Sequence, residues 1–219
     1  MSYLIWQLVD SAFPAGAFAH SGGLEASVQH GHVRDAATVR AFARQTIAQA
    51  GRAALPLVTA AHRDRESLVE LDQLCEAFLS NTVANRASRA QGRALVMSVA
   101  RSFPSPQLGA LEHRIRREDL CGHYAPVFGA VLAMLGIDGR RVQQLFLFLG
   151  SRGICSAAIR LALIGAYEAQ ELQAALAGDI DAAIDAYGTL GPYDISQSAP
   201  LIDLCQSTHD RLYSRLFQS

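Results

Sequence analysis

Apolar residues recur at helical spacing along almost the whole of this 219-residue chain, and this periodicity constrains the fold more than any other feature. Val39, Phe42, Ala43 and Ile47, for example, form one stripe along a single face of a helix. The alternation of apolar and polar residues that is typical of strands is nearly absent. The sequence therefore predicts an all-α protein, a single-domain bundle of about eight to ten helices over residues 1–219.

Caps and breaks divide this pattern into separate helices. We predict helices over Asp35–Ala50, from Pro56 toward His62, over Ser67–Leu79, Thr82–Arg101, Pro126–Leu135, Arg140–Leu149, Ser151–Ile164, Glu168–Ala177, Asp179–Tyr187 and Leu201–Phe217. Asp35, Thr82 and Asp179 are the predicted N-caps. The stretch Gly188–Pro200 is rich in Gly and Pro, so we predict that the C-terminal segment 188–219 is mobile relative to the bundle.

The basic residues exclude two classes of enzyme. Arginine supplies all 19 of them, and the sequence contains no lysine. A P-loop needs a lysine to reach the β- and γ-phosphates, and a pyridoxal enzyme needs a lysine amine for its Schiff base. The chain is therefore predicted to be neither a P-loop NTPase nor a pyridoxal enzyme.

Charge, hydropathy and cysteine spacing restrict the environment of the protein. The formal net charge of −1 gives no indication of the strongly basic surface that nucleic-acid binding usually needs. Neither a signal peptide nor an uninterrupted apolar run of about 18 residues is present, so no membrane association is expected. Four widely spaced cysteines without a CxxC pair suit a reducing compartment, and we predict a cytoplasmic protein.

Two groups of residues could bind a metal. His30 and His32 flank a glycine in a predicted turn, where neither imidazole has a defined orientation. His113, Cys121 and His123 are three borderline or soft ligands within eleven residues, although their spacing fits no standard site. No set of residues satisfies the requirements of a catalytic site.

Five stretches of the chain form a series of motifs: Trp6–Leu8 with Phe13–Glu25, then Asn85–Gly92, Gly122–Gly129, Ser156–Leu161 and His209–Ser219. In this order they resemble the motifs of the UreF family of urease accessory proteins. In the first motif His20 stands where the family usually has Tyr. We therefore do not predict for this chain any family role that requires a phenol hydroxyl at this position.

The resemblance implies an all-α homodimer that is not itself an enzyme. It implies binding to the scaffold protein UreH, also called UreD, and then to the GTPase UreG, which it would regulate. The assembled complex would pass nickel to apo-urease. No tightly bound cofactor is expected, because nickel would be handled only in the complex.

Eight residues are candidates for contact with these partners: Phe18, His20, Ser21, Glu25, Arg160, Arg211, Tyr213 and Arg215. The arginines suit a partner that presents carboxylates or phosphates, because a guanidinium binds them through two parallel hydrogen bonds. Two other functions stay open at this point. One is a helical metal-dependent enzyme that uses His113, Cys121 and His123, and the other is a helical scaffold with no connection to metal.

Overall fold

The computed structural model describes residues 3–219, and within this range every regular element is helical. The α-helices are α1 (Tyr3–Val9), α2 (Leu24–Gln29), α3 (Ala36–Ala53), α4 (Leu55–Arg63), α5 (Leu68–Phe78), α6 (Thr82–Ser102), α7 (Pro106–Arg116), α8 (Tyr124–Met134), α9 (Gly139–Arg160), α10 (Ala166–Ala175), α11 (Ala177–Tyr187) and α12 (Pro200–Ser207). Single 3₁₀ turns cover Ala17–Ala19, Pro192–Asp194 and His209–Arg211. The predicted all-α class is confirmed.

Side-chain caps define where several helices begin. Asp35 and Thr38 form a capping box at the start of α3, as the sequence predicts for Asp35. The cap of α6 is Asn81 and not the predicted Thr82, since the Asn81 side chain accepts hydrogen bonds from two backbone N–H groups. Asp179 was predicted to cap α11, but it lies within the first turn, where it pairs with Arg44.

The largest differences from the predicted helices lie in the second half of the chain. The predicted helices 140–149 and 151–164 form one continuous helix, α9, because Gly150 neither caps nor breaks it. The predicted final helix ends at Ser207, ten residues before Phe217. Beyond it, the N–H groups of residues 216–218 donate to groups of residues 19 and 25, not to carbonyls one turn earlier.

The centre of the bundle is α8, which is buried on almost all sides and packs against α4 and α6. Tyr124, Phe128 and Phe146 form an aromatic cluster between α8 and α9. Gly129 lies where α8 crosses α4, and a Cβ atom built on it would lie only 2.1 Å from the carbonyl oxygen of Val58. The tight crossing of these two helices therefore depends on a residue without a side chain.

One helix within residues 3–219, α9, is long and apolar enough to cross a membrane. Of its most apolar window, 56% is buried against the rest of the bundle. A core helix passes the same test of length and composition, so α9 gives only weak evidence for a membrane span.

Candidate functional site

The first and last family-like motifs meet in space although they are separated by about 190 residues of sequence. The backbone N–H of Gln218 donates to the Ala19 carbonyl at 2.8 Å, and that of Ser21 donates to the Ser219 backbone oxygen at 2.6 Å. We call residues 212–219 the tail and the residues that hold it, Phe18, His20, Ser21, Glu25 and Arg160, the tail cradle. Five of the eight predicted partner residues thus form one site.

Glu25 holds the middle of the tail from the first turn of α2. Its side chain is 2% exposed, and its two carboxylate oxygens accept from the N–H groups of Leu216 and Phe217 at 2.6 and 3.3 Å. The buried His209 ring lies nearby, with Nδ1 3.9 Å from Glu25 Oε2 and Nε2 donating to the Phe217 carbonyl. The carboxylate therefore compensates backbone groups that would otherwise be buried without partners.

Arg160 connects the tail to the end of α9. Its guanidinium donates to the carbonyl of Phe18 at 2.8 Å and to that of Leu216 at 3.2 Å. The same group lies over the rings of Phe18 and Phe217, at 4.3 and 4.1 Å from their centroids. This combination of planar stacking and forked donation is particular to arginine.

His20 and Ser21 complete the cradle. His20 Nδ1 lies 2.6 Å from the Ser219 hydroxyl, and the Ser21 hydroxyl donates to the Ser219 backbone oxygen at 3.0 Å. Burial, followed by electrostatic interaction with His209 and Arg86, lowers the pKa of His20 below its usual range. The neutral imidazole is therefore favoured in the folded protein.

The other three predicted partner residues are exposed on or next to the tail and do not belong to the cradle. Arg215 pairs with Asp210 at 3.4 Å. Arg86 donates to the same carboxylate through both of its terminal guanidinium nitrogens. These arginines hold the pKa of Asp210 below its usual range, with the Arg86 hydrogen bonds as the main cause. Arg211 and Tyr213 point to solvent.

A second polar cluster forms where α5 meets the loop before α8. The buried carboxylate of Asp72 accepts from three consecutive backbone N–H groups, those of Cys121, Gly122 and His123, at 2.7–3.2 Å. Gly92 on α6 allows the close approach of this loop, since a Cβ there would lie 2.0 Å from the Gly122 oxygen. Asp72 and Gly92 therefore set the position of the loop.

His123 lies fully buried between two partners. Its Nε2 donates to Glu76 Oε2 at 2.7 Å, and its Nδ1 lies 3.1 Å from the Ser88 hydroxyl. The hydrogen bond from His123, followed by one from Asn85, lowers the pKa of the Glu76 carboxyl. Burial, with the negative charges of Asp72 and Glu76, raises the pKa of the Cys121 thiol.

The predicted triad of metal ligands is wrong in one member. His113 is exposed on α7, and the fold does not bring it together with the other two. Among residues 3–219, the ligand atoms that do lie within 4.8 Å of one another belong to Glu76, Cys121 and His123. The sequence missed Glu76, Asp72 and Ser88 because no local pattern links α5 and α6 to a loop more than thirty residues away.

Comparison with known proteins gives one consistent family. Over residues 33–177 the chain matches the sequence model of the family described as UreF. It is 38% identical to "Urease accessory protein F" of Oryza sativa subsp. indica, over 97% of this chain and 83% of that protein. It is 34% identical to the protein of the same name from Arabidopsis thaliana, over 100% of this chain and 93% of the relative. A bacterial relative, "Urease accessory protein UreF" of Arthrobacter sp. strain FB24, is 30% identical over 97% and 95%.

Proposed function

Because this chain belongs to the UreF family of urease accessory proteins, we propose that it acts as a non-catalytic assembly factor in nickel delivery. In this proposal it binds a UreH/UreD-type scaffold, recruits and regulates a UreG-type GTPase, and helps to transfer nickel, the cargo, to apo-urease in the cytoplasm. The chain has no lysine for a phosphate loop, so the partner would supply GTP hydrolysis.

The observation that carries this proposal is the surface formed by the docked tail. Phe18, Tyr213 and Leu216 expose 69%, 103% and 60% of their surface. The backbone at Phe18 and at Leu216 is nevertheless held by hydrogen bonds to Arg160 and Glu25. Arg211 and Arg215 are also exposed, two residues before and two residues after Tyr213 in the sequence. Exposed aromatic residues beside arginines, on an ordered backbone, are typical of the centre of a protein interface.

The alternative of a metal-dependent enzyme has less support. Its predicted set of His113, Cys121 and His123 is not assembled in the fold. The relatives are named as accessory proteins. A role in assembly needs only a binding surface, which the tail provides.

We expect that the double substitution Arg211→Ala and Arg215→Ala weakens binding to the scaffold about 30- to 5,000-fold. Truncating charge pairs that become desolvated in an interface costs about 2–5 kcal/mol. The fold should persist, because the pair between Arg215 and Asp210 is exposed and such pairs contribute about 0–1 kcal/mol. Size-exclusion chromatography and calorimetric titration with the purified scaffold would measure the loss.

A matched control is the pair Arg114→Ala and Arg117→Ala, which removes two exposed arginines at the end of α7. This variant should bind the scaffold as tightly as the unmodified protein does. Equal binding by the tail variant and the unmodified protein, with circular dichroism unchanged, would contradict the assigned surface. A comparable loss in both variants would indicate a general charge effect.

The proposal includes a homodimer. An obligate helical interface would bury on the order of 2,000 Å² or more. Light scattering at tens of micromolar protein (roughly the range that saturates micromolar dimers) should therefore give twice the chain mass of 23.5 kDa. A mass of one chain across this range would show that the free protein is a monomer.

A further inference from the structure

Glu76, Cys121 and His123 bring a carboxylate, a thiol and an imidazole together at a position that the tail surface does not include. Each offers one ligand atom, and these atoms all lie within 4.8 Å of one another. Two of the three come from one short loop, which Asp72 holds through its three backbone hydrogen bonds. The backbone that carries these two ligands is thus placed before any ion binds.

We propose that these three side chains form a binding site for one divalent transition-metal ion. Sulfur, nitrogen and oxygen ligands together suit Zn²⁺, Ni²⁺ or Co²⁺, whereas Mg²⁺ and Ca²⁺ prefer oxygen ligands alone. Three protein ligands leave at least one coordination position open. An open position is typical of sites that exchange ligands and not of closed structural sites.

The surroundings of His123 support this assignment. A histidine that binds a metal almost always hydrogen-bonds through its second ring nitrogen. Here Nε2 lies 2.7 Å from Glu76 Oε2, while Nδ1 lies 3.1 Å from the Ser88 hydroxyl. Ser88 can accept from Nδ1–H and still accept from the N–H of Tyr124, since a hydroxyl oxygen has two lone pairs. Ser88 is thus a positioning residue for the imidazole.

The arrangement without metal is compatible with entry of an ion. The His123–Glu76 hydrogen bond would be replaced by two bonds to the ion, and the Glu76 side chain, 43% exposed, has room to adjust. The carboxylates of Asp72 and Glu76 both act on the thiol, and Arg89 contributes an opposing positive charge. A cation bound at Glu76 would favour the thiolate form of Cys121.

The test uses the full chain with Co²⁺ as a spectroscopic probe, followed by calorimetric titration with Zn²⁺ and Ni²⁺. We expect one ion per chain, and with Co²⁺ a thiolate charge-transfer band in the near ultraviolet. Cys121→Ser should abolish this band, and Cys121→Ser or Glu76→Gln should weaken binding at least tenfold. Ser88→Ala should weaken binding about 10- to 100-fold, the range typical for hydrogen-bond partners of metal ligands.

Three controls distinguish this site from others. Cys155→Ala removes a buried cysteine on α9 and should leave the Co²⁺ band unchanged. The double variant His30→Ala and His32→Ala removes the competing histidine pair and should retain binding. His123 is fully buried, so we rely on the more exposed Cys121 and Glu76 for the substitutions.

Two results would overturn the proposal: no cobalt band in the unmodified protein, or a band that survives Cys121→Ser and disappears with another variant. The inference does not depend on the proposed assembly function. Binding of metal is measured on the isolated chain, and binding of the scaffold is measured through Arg211 and Arg215. Either result can therefore fail without the other.

Discussion

Replacing Glu25 by Gln is expected to release the tail from the body of the protein. The carboxylate accepts from the N–H groups of Leu216 and Phe217 while it is almost fully buried. A glutamine has one acceptor oxygen, and its NH₂ group would face the second N–H. Hydrogen bonds to a charged group contribute about 1.5–3 kcal/mol each, so the free energy of tail opening should fall by about 3 kcal/mol.

Native-state hydrogen exchange measures this change directly. The amide protons of Leu216 and Phe217 should exchange roughly 100-fold faster in Glu25→Gln than in the unmodified protein. The amides of α8, which are buried in the core, should not change. Glu118→Gln serves as the control. Glu118 is exposed, and its ion pair with Arg93 is weak because the two groups are as far as 4.0 Å apart. Unchanged exchange at 216 and 217 would show that Glu25 does not hold the tail.

The same variant tests whether a partner binds the tail in its docked conformation or orders it on binding. If the scaffold binds the docked tail, its apparent affinity falls with the fraction of molecules in which the tail is docked. Unchanged or tighter binding would instead favour the prediction that segment 188–219 is mobile and becomes ordered on a partner. Glu25→Gln thus separates a preformed surface from a segment that folds on binding.

Gly129→Ala is expected to destabilise the bundle core strongly, although it adds only one methyl group. The new Cβ would lie 2.1 Å from the Val58 oxygen and 3.1 Å from the His62 nitrogen, both in the backbone of α4. A rotamer change cannot relieve a contact between a Cβ and backbone atoms, so α4 and α8 must move apart. We expect a loss of about 3 kcal/mol, at the upper end of overpacking effects.

Thermal unfolding, compared at one protein concentration, should show a Tm lower by about 6–12 °C for a chain of this length. Gly150→Ala is the matched control, because Gly150 lies within α9 and has no atom near the position of a new Cβ. Alanine is the better helix former, so this variant should be stabilised by about 0.5–1 kcal/mol. Equal Tm changes in both variants would contradict the close crossing at Gly129.

Much of the secondary structure could be predicted from the sequence because its causes are local. The apolar stripe of α3 and its Asp35 cap depend on residues within a few turns of one another. The break at residues 103–105 follows from two prolines close in sequence. The exclusion of P-loop NTPases and pyridoxal enzymes likewise follows from the sequence alone, because it contains no lysine.

The predictions failed where long-range contacts decide the local conformation. An isolated helix over residues 201–217 would satisfy its own backbone, but Glu25 and Ala19 supply competing partners for residues 216–218. The sequence alone could not show this competition, because its members lie about 190 residues apart. The end of α12 is therefore a property of the tertiary structure.

The same distinction between local and long-range causes applies to the two candidate sites. The sequence determined which side chains are available: a family-like motif around His20, a second one around Arg215, and a cysteine two residues before His123. Only the tertiary structure decided that the two motifs form one surface and that Glu76, not His113, joins Cys121 and His123. The physical reason is that packing α5 and α6 against the loop before α8 sets these distances, and no local periodicity records which helices pack together.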